Sequence, residues 1–93
     1  MDTPTPKDTI LVGKKPPMSY VMAVITQFHS GASEVHVKAR GKAISCAVDV
    51  VEIVRNRFLN DVKLGPIALA TESLKSQSGQ QVNVSSIDIV LLK

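Results

Sequence analysis

Two short segments concentrate positive charge in this chain of 93 residues. Lys14-Lys15 stands between Gly13 and Pro16-Pro17, and the second segment is Lys38-Ala39-Arg40-Gly41-Lys42. Each segment lies between a predicted strand and a predicted helix. A cation at the start of a helix opposes the positive end of the helix dipole, so the placement favours an external anion. Because a helix N-terminus also offers backbone N–H groups to phosphate, the two segments predict binding to a nucleic-acid backbone.

The distribution of charge is more informative than its total. The chain has 11 Lys and Arg against 8 Asp and Glu, a net charge of +3. Between Lys14 and Arg57 the only acidic residues are Glu34, Asp49 and Glu52. The cations of the same region are Lys14, Lys15, Lys38, Arg40, Lys42, Arg55 and Arg57. This local excess favours a polyanion as ligand, although ordinary solvated lysines remain an alternative on composition alone.

The elements that must position these cations follow from apolar periodicity. Residues 9–12 form a short apolar run, and Pro16-Pro17 begins a helix whose apolar residues recur at helical spacing as far as Gly31. Residues 33–39 alternate as in a half-buried strand, and residues 43–59 form the clearest helix. With two further strands, the order is β-α-β-α-β-β. We therefore expect an α/β fold of the two-layer α+β kind, with two helices on a mixed four-stranded sheet.

The second helix is more apolar than one sheet contact requires. Its polar positions form a single stripe: Ser45, Asp49, Glu52 and Asn56. Nearly every other position up to Val54 is apolar, whereas a helix packed on one sheet needs about three apolar positions in seven. We therefore expect a second covered side, and another copy of the same chain is the simplest partner.

The C-terminal third predicts a hairpin. Gly65-Pro66 interrupts residues 62–75 and indicates an edge strand or a bulge. Residues 76–81 are typical of a hairpin tip, followed by a last strand over residues 82–92. The apolar set of that strand changes face across Ser85-Ser86, which predicts a bulge or local twist there. Residues 1–8 read as a flexible tail, so the predicted single domain covers residues 9–93.

No catalytic or metal-binding constellation is evident. His29, His36 and Cys46 fall on different elements, and Asp49 and Glu52 fit a solvated helix face. A single cysteine allows no intrachain disulfide and fits a reducing compartment, with Cys46 as a buried apolar residue. The chain also shows no secretory signal and no membrane-spanning stretch. We expect a soluble cytoplasmic protein that is not an enzyme and needs no metal or cofactor.

From residue 10 to residue 92 the sequence resembles the Alba family, the small basic chromatin proteins of archaea also called Sac10b-like. The matching segments are Gly13-Lys14-Lys15-Pro16, Met18-Ser19-Tyr20-Val21, residues 38–45, residues 47–49 and residues 51–59. The resemblance implies a fold like the C-terminal domain of translation initiation factor three. It also implies a homodimer that binds double-stranded DNA and RNA with little sequence preference, coats and compacts DNA, and associates with the chromosome. Pairing with a paralogue and larger assemblies on DNA are further implications.

The resemblance also assigns residues to roles. The residues expected at nucleic acid are Lys14, Lys15, Arg40, Gly41 and Lys42, with Tyr20 a weaker candidate that a place at the edge of the core explains equally well. On the hairpin the expected contacts are Lys75, Gln80 and Asn83. The last two stand where family members often carry arginine, which predicts a weaker and less salt-dependent contact. Dimer–dimer contact is expected at Asn56, Arg57 and Phe58, although Arg57 and Phe58 fit the core or a nucleic-acid contact as well. One lysine of the Lys14-Lys15 pair is a candidate for acetylation, which would remove a charge.

Two alternatives stay open. The same surface could serve an RNA-binding subunit of a ribonucleoprotein, which would hold A-form RNA by shape and phosphate. A protein-interaction or small-ligand domain of similar layering would instead show no preference for polyanions.

Overall fold

The computed structural model describes residues 8–93. The elements are Thr9–Leu11 (β1), Pro17–His29 (α1), Glu34–Arg40 (β2), Ala43–Ile53 (α2), Lys63–Lys75 (β3) and Gln81–Leu92 (β4). This order confirms the predicted β-α-β-α-β-β arrangement. The second helix does not continue regularly to Leu59: after Ile53 the residues Val54–Phe58 form a wider, π-helical turn.

The sheet has the order β1-β2-β4-β3. β1 runs parallel to β2, and β4 runs antiparallel to both of its neighbours, so the sheet is mixed as expected. Asp8, at the end of the predicted tail, already bonds to the sheet through its carbonyl oxygen, 2.8 Å from the N–H of His36. The remainder of that tail, residues 1–7, lies outside the described residues.

Both helices cover one face of the sheet, and the core lies between the two layers. On β2 the alternation is realised: Val35 and Val37 are fully buried, whereas the residues between them face outward. The helices contribute Val21, Val24, Phe28, Ala47, Val50, Val51 and Val54. Full burial of one such aliphatic or aromatic side chain, other than alanine, stabilises the fold by about 1.5–3 kcal/mol.

β3 is an edge strand with a bulge, which the Gly65-Pro66 pair predicted. Its pairing with β4 shifts register between Leu64 and Ile67. The backbone approach is close here, because a Cβ on Gly65 would lie 3.1 Å from the Leu92 side chain. The edge position tolerates Pro66, which has no N–H to donate to a neighbouring strand.

The bulge predicted at Ser85-Ser86 is wrong. Ser85 pairs with Thr71 and Ser86 with Ala70 in unbroken register. The apolar residues change face because β2 ends opposite Ser86, so residues 81–85 pair only with residues 71–75. This two-stranded extension, residues 71–85 including the turn, is called the hairpin arm below. It projects beyond the core, and its two faces are therefore not divided into buried and solvated sides.

Candidate nucleic-acid interface

The Lys-Lys loop, residues 13–16, is held by a tyrosine from the following helix. The hydroxyl oxygen of Tyr20 accepts hydrogen bonds from the N–H of Gly13 at 2.9 Å and from the N–H of Lys15 at 3.0 Å. Pro16 and Pro17 restrict the backbone further, because each ring fixes φ. The loop backbone is thus ordered while the Lys14 and Lys15 side chains project into solvent.

Tyr20 itself lies below this loop. Its side chain belongs to the core cluster with 9% of the residue exposed, and its hydroxyl faces the loop backbone. Of the two explanations open from sequence, this position favours a supporting role at the edge of the core over direct contact with a ligand.

The Arg-Gly-Lys loop, residues 40–42, joins β2 to α2 in a conformation that needs glycine. Gly41 has a φ of 60°, a left-handed value that costs side-chain-bearing residues about 1–2 kcal/mol. Its N–H donates to the carbonyl oxygen of Ser85 at 2.8 Å, which ties this loop to the base of the hairpin arm. The side chains of Arg40 and Lys42 flank this fixed point and are exposed.

The two loops meet at one open groove of about 1130 Å³, called the cationic groove below. Its charged lining comprises Lys14, Lys38, Arg40, Lys42, Glu72 and Asp88. Three of the residues predicted to contact phosphate are therefore brought together. Lys15 and Gly41 do not line the groove, although each lies in one of the two loops that border it. Cys46, predicted to be buried, is only partly buried and lines the groove as well.

Lys38 lines the groove as well: the sequence placed it in the second cationic segment, but not among the individual residues expected at nucleic acid. It stands two residues before Arg40 on the same strand, so both side chains point to the same face of β2. Because residues two apart on a strand share a face, the spacing of Lys38 and Arg40 was the signal that could have identified Lys38 as a groove residue.

Acidic side chains neutralise part of the groove. Arg40 Nη1 lies 3.3 Å from Glu72 Oε1, and Lys38 Nζ lies 3.9 Å from Asp88 Oδ2. Within residues 8–93, Lys14 and Lys42 make no ion pair. Exposed pairs of this kind contribute about 0–1 kcal/mol, so Arg40 can exchange Glu72 for a phosphate at little cost.

The N-termini of both helices are open toward anions. The position before α1 is Pro16 and the position before α2 is Lys42, and neither supplies a side-chain hydrogen bond to its helix. The first turn of each helix also contains no acidic residue. Positive helix ends without a carboxylate, next to lysines, leave an electrostatic demand that phosphate oxygens can satisfy.

The three hairpin residues predicted to contact nucleic acid lie apart from the groove. Lys75 pairs with Gln81 and Asn83 with Ser73, which puts Lys75 and Asn83 on one face of the arm. Gln80 lies beside the turn at the tip. All three are exposed, and none of them lines the cationic groove.

The residues predicted for dimer–dimer contact lie in the wide turn after α2. Asn56, Arg57 and Phe58 are all exposed, and Phe58 is 45% exposed although it is a large apolar residue. The neighbouring Arg55 instead pairs with Glu52 at 2.8 Å on the solvated side of the helix.

His36, on the outward face of β2, is bonded to two carboxylates. Its Nε2 lies 2.8 Å from Glu34 Oε2, and its Nδ1 lies 3.0 Å from Asp88 Oδ1. The hydrogen bond to Glu34 and, against the cost of burial, the bond to Asp88 raise the pKa of His36 above its ordinary value of 6.5. Only the protonated ring can donate to both carboxylates at once.

Residues 8–93 contain no group of three or more His, Cys, Asp and Glu side chains placed to hold a metal ion. None of the helices in this part of the chain has the length and apolarity needed to cross a membrane.

The chain is similar to known proteins in sequence and in fold. The profile of the Alba family matches residues 8–68. A DNA/RNA-binding protein Alba from Methanocella arvoryzae is 55% identical over 92% of this chain and 91% of its own length. The DNA/RNA-binding protein Alba 1 of Archaeoglobus fulgidus is 56% identical over 94% of this chain and 97% of its own length.

Solved structures show the same fold. Alba from Thermoplasma volcanium superposes with a TM-score of 0.87 at 53% identity, covering 91% of this chain and 99% of that one. ALBA1 from Trypanosoma brucei superposes with a TM-score of 0.74 at 31% identity, covering 97% of this chain and 72% of that one. The resemblance found in the sequence is confirmed, and it agrees with the expectation that the chain is not an enzyme. By profile, sequence and fold, the chain belongs to the Alba family.

Proposed function

We propose that this chain is an architectural protein that binds duplex DNA, and also RNA, without sequence preference and compacts DNA through phosphate contacts. The observation that carries the proposal is the convergence of Lys14, Arg40 and Lys42 from two separate loops on one groove. The names of the two archaeal relatives, both DNA/RNA-binding proteins, support it.

The expected mode of binding is contact with phosphate rather than with base edges. The two loops offer cationic side chains and uncapped helix ends, and the only helical residues that line the groove, Ala43 and Cys46, belong to the first four residues of α2. Contacts to phosphate fix position and carry no direct sequence information. Affinity should therefore depend strongly on salt and only slightly on sequence.

The working unit is proposed to be a homodimer. β3 packs chiefly against β4, and on its helix-facing side Leu64, Ile67 and Leu69 are 43%, 49% and 76% exposed. An apolar strip of this kind, together with the partly buried apolar residues Cys46 and Ile53 of α2, suits a self-complementary contact between two copies. A dimer would present the cations of both loops twice.

Larger assembly is proposed to use the end of the second helix. Asn56, Arg57 and Phe58 would touch the neighbouring dimer along DNA, because an exposed aromatic ring gains most by being covered. A related chain could replace one subunit through the same strip on β3.

Acetylation of a loop lysine and association with the chromosome are further parts of the proposal. Lys14 and Lys15 are exposed, so acetylation of either is sterically possible and would remove one cation from the loop. Association with the cytoplasmic chromosome, the nucleoid, is the expected location.

The alternative is RNA as the main ligand, with the protein acting as a subunit of a ribonucleoprotein. The relatives' names give DNA and RNA together, which keeps this alternative open. Competition between DNA and RNA duplexes of the same sequence decides between them: at least tenfold tighter RNA binding would favour the alternative.

The test of the proposal is a salt series on several unrelated duplexes. The double variant Lys14→Ala/Lys15→Ala should bind all of them more weakly. The slope of log affinity against log salt should fall by about 0.9 for each phosphate that the variant no longer neutralises. The matched control is Lys63→Ala/Lys93→Ala, which removes the same charge where β4 ends beside Glu34, far from both loops. Equal affinity of Lys14→Ala/Lys15→Ala and the wild type would contradict the assignment of these lysines to phosphate contact.

A further inference from the structure

The turn after α2 changes which residue faces the core. The buried positions of α2 are Ala47, Val50 and Val51, followed by Val54 at the start of the wide turn. Regular helical spacing would place Arg57 and Phe58 next on this side, three and four residues after Val54. Instead, the N–H of Leu59 donates to the carbonyl oxygen of Val54 at 2.7 Å, a bond that spans five residues.

The extra residue in this turn exchanges Phe58 for Leu59. Leu59 packs against the core cluster, whereas Phe58 is 45% exposed. A fold that needed only stability would bury the larger aromatic side chain, because burial of such a ring stabilises by about 1.5–3 kcal/mol. Wide turns of this type are rare and are found frequently at functional sites.

Asn60 closes the wide turn. Its side-chain Nδ2 lies 3.2 Å from the carbonyl oxygen of Arg55 and 3.3 Å from that of Asn56. Carbonyls in the last turn of a helix have no partner further along the helix, and a side-chain amide can satisfy two of them. Asn60 is exposed, so these bonds rather than core packing are its main contribution.

We propose that Asn60 is a positioning residue that holds the wide turn and so keeps the Phe58 ring outward, where it contacts a second dimer of this chain. This inference rests on the proposed function, because the contact being positioned is the proposed one between neighbouring dimers. The occupant is another copy rather than nucleic acid. The exposed ring is apolar, and neither Phe58 nor Asn60 lines the cationic groove in which phosphate is expected.

The experiment compares the full chain on two lengths of duplex. A short duplex that holds one dimer reports the affinity of the loops, and a long duplex reports cooperativity between neighbouring dimers. Asn60→Asp removes the donor at equal size and places a carboxylate beside two carbonyls. We expect cooperativity to fall about three- to tenfold, the scale of one ordinary hydrogen bond. The affinity for the short duplex should stay within twofold of wild type, and Asn60→Gln, which retains the amide donor, should recover part of the cooperativity.

The reference variant is Phe58→Ala, and a second readout is the NMR signal of the Phe58 ring in the free protein. In Asn60→Asp the ring signal should shift or broaden as the turn loosens. If Asn60→Asp does not fold, judged by circular dichroism, Asn60→Ala removes the donor without adding charge and is measured in the same way.

The outcomes separate the two proposals. Loss of cooperativity in Phe58→Ala, together with wild-type cooperativity and an unchanged ring signal in the Asn60 variant, overturns the role of Asn60. Wild-type cooperativity in Phe58→Ala overturns the dimer–dimer contact. Failure of the wild type to bind even the short duplex overturns the proposed function, while the ring signal still tests whether Asn60 holds the turn.

Discussion

Replacement of Tyr20 by Phe is expected to weaken nucleic-acid binding without removing any charge. The substitution keeps the buried ring and deletes only the hydroxyl that accepts hydrogen bonds from Gly13 and Lys15. The Lys-Lys loop would then have to be ordered by the ligand instead of by the protein.

The magnitude follows from the two hydrogen bonds that the substitution removes. An ordinary hydrogen bond contributes about 0.5–1.5 kcal/mol net, and both N–H groups lie in an exposed loop where water can replace the hydroxyl. We therefore expect binding to weaken by about 1 kcal/mol for each loop, which is about fivefold in affinity. If a dimer engages the Lys-Lys loops of both subunits, the two losses add and the affinity should fall by about 25-fold.

The assay is the salt series on unrelated duplexes. The plot of log affinity against log salt gives an intercept and a slope, which are compared separately. Tyr20→Phe should lower affinity at every salt concentration with the slope unchanged, because the number of cations is unchanged. Lys14→Ala/Lys15→Ala should lower the affinity and also make the slope less steep. The matched control is Thr26→Val, which deletes a hydroxyl bonded to the Met22 carbonyl on the exposed side of the same helix. Wild-type affinity in Tyr20→Phe would refute the idea that the tyrosine pre-orders the loop.

Three further predictions concern the loops, the dimer and pH. Gly41→Ala should lower the free energy of unfolding by about 1–2 kcal/mol because of the left-handed φ; chemical denaturation measures this, and an unchanged value would show that the loop relaxes freely. Leu69→Glu should convert the proposed dimer to a monomer, since a charge on the most exposed apolar residue of β3 opposes its burial. Light scattering checks this, with Ala68→Glu, at an exposed position on the opposite face of β3, as control. His36 should stabilise the fold fully below pH 6.5, its ordinary pKa, and this stabilisation should disappear as pH rises through the raised pKa of the folded state. The melting temperatures of wild type and His36→Gln should therefore converge at high pH. The charged groups near the ring are Glu34, Asp88 and Lys38. A difference in melting temperature that stays constant across the pH range would contradict a role for the charged ring.

Much of the fold was predictable because its patterns are local. The alternation along β2 and the helical spacing of α1 are each determined by residues within one element. Gly65-Pro66 marked an edge strand because proline lacks the donor that an inner strand needs. The bulge predicted at Ser85-Ser86 was wrong for a related reason. Alternation indicates register only where one face of a strand is buried, and the hairpin arm extends beyond the core.

The sequence by itself determined which residue types stand at each strand-to-helix junction, and so the cationic character of both loops. Only the tertiary structure decided that Lys14, Arg40 and Lys42 share one groove with Lys38, and that Glu72 neutralises part of it. It likewise decided that Tyr20 supports a loop and that Leu59 replaces Phe58 in the core. These outcomes depend on the pairing of strands far apart in the chain and on a single extra residue in one helical turn. Local propensity does not encode either of them, because both result from how the layers pack.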